Sequence, residues 1–330
     1  MSNQPPIEVP QGAIRLNTDS QKLEFFAQDR WYEMATDTPI LNGGGRGIAA
    51  GGNTPSQTNR IEFITISVLG NATDFGDLTA PRQANPDATG SSTRGVIGGG
   101  QEFPANVNKV DFITFSSKGN AVDLCDLTSS RAQVASAGNQ TRGIFAGGES
   151  ETNIIDYVTI SSTANAVDFG DLTNTRRLCA ATSSSTRCLI AGGFTSPASV
   201  NIIDFITFSS RGDAQDFGDL SSARYGVGAL SSSTRAVLMG GYVAPTGTTD
   251  IEFVTISTKG NTAEFGTLSE QLHLGQMASD CVRGVKMGSA ASSAVIEYIN
   301  IATRSDAEDF GDMISTHKEG AGCSNAHGGL

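Results

Sequence analysis

The residues best able to do chemistry in this 330-residue chain recur instead of converging. Carboxylates come in pairs: Asp74 and Asp77, Asp168 and Asp171, Asp216 and Asp219, Asp309 and Asp312, weakening to Glu264 and Thr267 in one copy. Such a pair suits general acid–base work or Ca²⁺ ligation. An active site, however, is normally singular, and these pairs repeat along the chain with their own arginines. One Arg set is Arg94, Arg142, Arg187, Arg235 and Arg283. A second follows the paired carboxylates as Arg82, Arg131, Arg176 and Arg224, and is replaced by Leu272 and His317 in the last two copies. Repetition points to ion pairs between neighbouring strands, or to bonds onto turn backbone, with the second Arg set reaching the next repeat.

The other reactive types carry less. His273, His317 and His327 are scattered, and none stands in a Ser/His/Asp pattern. Cys125, Cys179, Cys188, Cys281 and Cys323 are odd in number and lack a C-x-x-C pair, which argues against a disulfide framework or a zinc site. The glycines of Gly43 to Gly47 resemble a phosphate cradle only superficially, because no GK[ST] follows and no helix is predicted after them. G-x-S-x-G is absent. We therefore assign no catalytic, cofactor-binding or metal-binding residue, and expect no enzyme activity and no cofactor. The formal net charge of −12 disfavours nucleic acid and anionic lipid as partners. No apolar run reaches transmembrane length. The start, Met1 to Pro6, has no signal-peptide character, which predicts synthesis in a reducing cytoplasm.

The elements that position these residues have a fixed period. Arg-Gly-x-x-x-Gly-Gly or a looser copy begins at Arg46, Arg94, Arg142, Arg187, Arg235 and Arg283, in steps of 48, 48, 45, 48 and 48. After each comes an alternating apolar element: IEFITIS from Ile61, then its counterparts from Val110, Ile155, Ile203, Ile251 and Ile296. The DFGDL element follows, from Asp74 through Asp309, and then a segment rich in Ala, Gly and Ser, such as AQVASAG from Ala132. Segments this short, rich in β-branched residues and without a 3.6 period, are strands. Gly70-Asn71, Gly119-Asn120 and their counterparts read as two-residue hairpin turns.

Four strands in a unit near 48 residues is the arithmetic of a β-propeller blade. The small-residue strand belongs nearest the axis, where bulky side chains would collide. The copies are out of phase with the termini, so the strand from Ala321 should complete the blade begun at Arg46 and close the ring. The prediction is an all-β, six-bladed propeller over 38–330 with four antiparallel strands per blade, preceded by a small β-rich segment at 1–37. A seventh blade would require Ile40 to Gly45 and the last residues to lie in separate sheets.

The strand order, with Gly51-Gly52, Gly99-Gly100, Gly147-Gly148, Gly192-Gly193 and Gly240-Gly241, resembles the kelch repeat. It departs at Gly288-Ser289, and where kelch blades usually carry Trp this chain has Phe75, Leu124, Phe169, Phe217, Phe265 and Phe310. The lone Trp31 lies outside the repeats, so the Trp-Asp signature of WD40 blades is missing. The wording TRGIFAGG from Thr141, with IDYVTISSTANAVDFGDL from Ile155, is similar to propeller repeats of tailed-phage virion proteins, cyanophages and related marine phages especially. Gly12 to Met34 is similar to a short β-rich segment of phage tail-fibre proteins.

That resemblance implies a virion structural protein: a tail-fibre, receptor-binding or tail-associated propeller serving assembly or host-surface adhesion. Residues 1–37 would meet other virion subunits, and propeller loops would meet host-surface glycan. Specificity would lie in loops such as Asn53 to Asn59, Gln101 to Asn108 and Val243 to Thr249. Fibre proteins of this kind are commonly trimeric, so a homo-oligomer is implied as well. The alternatives are a capsid-decorating or head-fibre protein, and a glycan-active propeller enzyme. The last would need acids, Arg and Tyr converging on one face.

Overall fold

The computed structural model describes residues 10, 12–17, 22–27, 30–33, 44–53, 56–85, 87–289, 293–316 and 318–330. The chain separates into two compact units, Met1–Gly43 and Gly44–Leu330. In the first, strands Ile14–Asn17, Lys22–Ala27 and Arg30–Glu33 form an antiparallel meander. Arg15 bonds Glu24 at 2.7 Å and lies 4.1 Å over the Trp31 ring, while Phe26 meets Trp31 edge-on.

The second unit is a six-bladed β-propeller, and no helix occurs among the described residues. From the axis outward, blade 1 holds Asp87–Gly90, Arg94–Gly98, Lys109–Thr114 and Val122–Asp126. Blade 2 holds Ala135–Gly138, Arg142–Ala146, Ile154–Thr159 and Val167–Asp171. Blade 3 holds Ala180–Ser183, Arg187–Ala191, Ile202–Thr207 and Gln215–Asp219. Blade 4 holds Gly228–Ser231, Arg235–Met239, Thr246–Thr255 and Ala263–Leu272. Blade 5 holds Gln276–Ser279, Arg283–Ser289, Ser293–Asn300 and Glu308–Asp312. Blade 6 takes its innermost strand, Ala321–Ser324, from the other end of the unit and pairs it with Arg46–Ala50, followed by Arg60–Thr65 and Thr73–Asp77. The ring is thus closed by the strand exchange that the phase of the repeats predicts.

Apolar packing lies between blades. Six buried clusters each straddle one neighbouring pair; Ile48, Ile61 and Phe75 of blade 6, for example, pack on Ile97, Ile113 and Phe115 of blade 1. Every blade is covered on both faces, which is why the third strands alternate apolar residues without a polar side. Near the axis, space is matched across blades: a Cβ at Gly228 would fall 2.0 Å from the Met277 methyl, and one at Gly284 would strike Leu230.

The second residue of each DFGDL element, Phe in five blades and Leu124 in blade 1, is a β-bulge. Ile61 pairs with Gly76 and Glu62 with Asp74, so Phe75 is skipped and turned inward, 2% exposed, edge-on to Phe63. The same register shift recurs in the other five blades. The Gly-Asn pairs are not two-residue hairpin turns. The loop from Thr65 to Thr73 is longer, turning at Thr65–Val68, and Gly70-Asn71 clasp the preceding blade. Gly70 N–H donates to Phe310 O at 2.9 Å, and Asn71 Oδ1 accepts the Asp312 N–H at 3.0 Å. The Asn or Asp at this position does the same from Asn120, Asn165, Asp213, Asn261 and Asp306. Blade 6 needs glycine in its facing strand, where blade 1 carries Cys125: at Gly76, φ is +152° and a Cβ would lie 2.4 Å from Gly119 O.

Blade 5 tests the charge balance of this packing. Arg82, Arg131, Arg176 and Arg224 pair with acids on the third strands of blades 1–4, but blade 5 has buried Leu272 at the equivalent place. Its acid, Glu297, is met by Lys286 at 3.2 Å, at a strand position that carries Ile97, Phe145, Ile190 or Leu238 in blades 1–4. We expect Lys286→Ile alone to cost about 3–5 kcal/mol, since it strands a buried carboxylate. Adding Leu272→Arg should recover most of that loss in a denaturant double-mutant cycle, and strictly additive losses would contradict the assignment.

Candidate functional site

The antiparallel order gives the propeller two unlike faces. One carries the tight turns from innermost to second strand. The other carries the connections after Gly-Gly and the connectors from each outer strand to the next blade, and we call it the loop face.

Both Arg sets are structural. Arg46, Arg94, Arg142, Arg187, Arg235 and Arg283 lie 4.5–5.3 Å over Phe63, Phe112, Tyr157, Phe205, Phe253 and Tyr298 of their own blades. Each then donates to backbone carbonyl of the next blade, as Arg235 does to Ile301 O at 2.7 Å and Arg283 to Ile66 O at 3.3 Å. These are the expected bonds to backbone. The second set is buried: Arg82 meets Asp111 at 2.6 Å, Arg131 meets Asp156 at 2.5 Å, Arg176 meets Asp204 at 2.8 Å, and Arg224 meets Glu252 at 2.9 Å. The expected reach to the next repeat is seen. Burial holds the Arg131 and Arg224 guanidiniums below their usual pKa, the neighbouring acid opposing it.

The expectation fails for the DFGDL carboxylates. Asp74, Asp168, Asp216, Glu264 and Asp309 are exposed, and among the described residues no Arg pairs with them or with Asp77, Asp171, Asp219 or Asp312. The bulge that buries the aromatic turns these side chains outward. The partnered acids are Glu62, Asp111, Asp156, Asp204, Glu252 and Glu297, 0–4% exposed on the third strands. A single polar residue in an otherwise apolar alternation was the signal that identifies them.

The remaining reactive residues are dispersed. All five cysteines are free. His317 lies outside the described residues. His327 sits by the axis, where Gly329 N–H donates to Nδ1 at 3.2 Å and Nε2 faces Gly90 O at 2.8 Å, so Nε2 carries the proton. Burial keeps its pKa below the usual range. The axial cavity, about 110 Å³, is lined by innermost strands and includes Asp87, Ser136, Gln276 and His327. Among the described residues, no three His, Cys, Asp or Glu side chains group as a metal site.

At the loop-face mouth of that cavity a ring of backbone bonds closes on itself. Gln133, Leu178, Gly226, Leu274, Glu319 and Asn85 donate in turn to Ala84, Gln133, Leu178, Gly226, Leu274 and Glu319 carbonyls at 2.9–3.2 Å. All six donors have left-handed φ, though only Gly226 is a glycine. That conformation costs other residues roughly 1–2 kcal/mol each, so the ring is held by its surroundings.

Just outside this ring the six repeats stop being equivalent. In blades 6 and 1–4 the residue after the Gly-Gly lies beside a residue of the preceding connector, bridged through backbone: Gln101 with Gln83, Glu149 with Ala132, Phe194 with Arg177, Tyr242 with Tyr225, and Asn53 with Lys318. On the blade 6 and blade 1 side these are amides. Asn53 donates to Gln83 at 3.1 Å, Gln83 to Gln101 at 3.0 Å, and Gln57 to Gln101 O at 2.8 Å. On the blade 3 to blade 5 side they are aromatic. Arg177 lies 5.2 Å over Phe194; ring centroids then step 5.8 Å to Tyr225, 5.1 Å to Tyr242 and 5.7 Å to His273. All five are half-buried. Small hairpins at Gln101–Asn106, Phe194–Ser199 and Tyr242–Gly247 edge this face, and two bond to a neighbouring blade: Phe103 N–H to Gln57 at 3.2 Å and Ser196 N–H to Glu151 at 2.9 Å. The expected specificity loops, Gln101 to Asn108 and Val243 to Thr249, lie here. Phe194, Tyr225 and Arg177 carry no role in the sequence reading and His273 enters it only as a scattered histidine, although aligning the six copies by column marks them as the outliers.

No protein-family model matches this chain, and no curated protein matches it significantly in sequence. The geometry therefore defines the class alone: a six-bladed β-propeller with a uniform frame and one differentiated face.

Asp87 offers a test of the axial environment. Its carboxylate accepts N–H from Ala88 at 2.8 Å and from Ser136 at 2.5 Å, yet burial dominates and raises its pKa to about 7. The folded protein then holds this proton below about pH 7, while the unfolded chain releases it above about 3.8. The contribution to stability is complete below the lower value and lost as pH rises through the upper one. Carboxyl NMR should show Asp87 titrating near 7; a midpoint below 5 would contradict the burial described.

Proposed function

We propose that this chain is a non-catalytic binding and assembly protein: a propeller displayed on a phage virion, of the tail-fibre or receptor-binding kind, anchored through residues 1–37 and contacting the host surface through its loop face. The virion part rests on the resemblance of the repeats and of Gly12 to Met34 to phage proteins. The binding part is supported by one observation. Ionic residues that recur in every blade are spent on the frame or face solvent singly, whereas residues that differ between blades gather on one face. Catalysis needs acids and bases converging at one point; adhesion needs a rigid frame with variable loops.

Purified full-length chain should bind saturably to the envelope of susceptible cells, marine cyanobacteria being the first to try, and should release no reducing ends from it. Antibody against the propeller should label intact particles in electron micrographs. Steady depolymerisation proportional to protein would replace this reading with an enzyme, and unlabelled particles would remove the virion assignment.

A further inference from the structure

We infer that the strip Arg177–Phe194–Tyr225–Tyr242–His273 is a saccharide-binding surface, with the amides Asn53, Gln83 and Gln101 in another sector of the same mouth. This rests on the binding reading above and names its site and ligand class.

The strip is not part of the core: its members are half-buried, while the blade interfaces are filled by their own clusters. It is not part of the repeat, since the equivalent places in blades 6, 1 and 2 hold Asn53, Gln101 and Glu149 without loss of the fold. Four successive contacts, each 5.1–5.8 Å between centres, form a line across three blades. Tyr225 and Tyr242 are tilted by 35° to each other, so neither ring covers the face of the other completely.

The chemistry such a line offers is flat apolar area with a polar edge, at small cost in side-chain entropy. Pyranose rings present complementary surfaces: a patch of C–H bonds on one face and hydroxyls round the rim. Hydroxyl pairs are met well by planar amides, which donate and accept side by side. The amide group is already ordered by its own hydrogen bonds, so little is lost on binding. A proline-rich peptide, the other ligand that favours aromatic rings, docks in a continuous apolar groove. Here the line is broken by the polar edges of Tyr225, Tyr242 and His273 and ends at a guanidinium, which favours the sugar.

Native affinity electrophoresis of the full chain, in gels containing hydroxyethylcellulose, mixed-linkage β-glucan, galactomannan or dextran, tests this. At least one polymer should retard the protein. Tyr225→Ala and Tyr242→Ala should each weaken retardation about ten-fold. Tyr225→Phe, which keeps the ring, should bind nearly as the parent does, and so should Val68→Ser on the opposite face; thermal melting checks that each variant is folded. Lack of retardation by every polymer, retardation that survives both Ala variants, or capture by an immobilised oligoproline peptide would each overturn the assignment. Cell adherence that persists in Tyr225→Ala would remove this site while leaving the adhesion reading intact; loss of all adherence by the parent chain would remove the adhesion reading itself.

Discussion

Each blade is fixed to its neighbour by one buried carboxylate. Glu62, Asp111, Asp156, Asp204, Glu252 and Glu297 accept the N–H of Ile314, Thr79, Thr128, Thr173, Ser221 and Ser269, the residues one position beyond the end of the DFGDL element of the preceding blade, at 2.9–3.3 Å. In blades 1–3 the same oxygen also faces the incoming Arg, and in blade 4 Arg224 meets the other oxygen of Glu252. A charge that deep is tolerable only when paired and bonded, and removing one partner costs several kcal/mol. The acid therefore sets where a chain leaving one blade must run to reach the next. The clasp by Asn71 and its equivalents, the bond from each second-strand Arg to the next blade, and the ring at Gln133 and Leu178 all act in that same direction round the ring. Blade 5 keeps its acid while changing the cation from Arg to Lys286, which also holds Glu270 at 2.6 Å, so the requirement is for a cation against the carboxylate and not for a particular side chain.

That frame leaves function to what it does not constrain. At the Gly-Gly corner a change of residue would collide with backbone: a Cβ at Gly51, Gly99, Gly147 or Gly192 would lie 2.5–2.8 Å from an Arg carbonyl oxygen. Immediately after each corner the side chain points away from the frame and is free to vary. Tyr242 and Glu149 occupy equivalent places with no cost to the sheets around them. Among the described residues the ring thus presents five variable positions round one mouth, with an aromatic sector and an amide sector at different angles.

Much of this was legible in the sequence. Blade number, strand order, the innermost place of the small residues and the closing strand from Ala321 all follow from the period and from the size of side chains. Arg82, Arg131, Arg176 and Arg224 were read as residues reaching the next blade, and they do. The exposed Asp74 and its counterparts were misread because their frequency suggested a shared partner. The bulge at Phe75 shifts side-chain alternation by one residue, and no strand pattern signals that. The Gly-Asn pairs read as hairpin turns because both residues favour turns, although their work is done between blades. The aromatic strip was hidden for another reason: Phe194 and Tyr225 are 31 residues apart and become neighbours only when adjacent blades pack.

Amide hydrogen exchange, read residue by residue, tests the buried-carboxylate account most directly. Thr79, Thr128, Thr173, Ser221 and Ile314 have exposed side chains and lie outside the strands, so by exposure alone their N–H groups should exchange as loops do; Ser269, equally exposed, lies in the outer strand Ala263–Leu272. If the carboxylates hold the blades together, these six will exchange as slowly as the central strands, and Asp204→Asn will speed exchange most at Thr173. Exchange at loop rates in the parent protein would contradict the account.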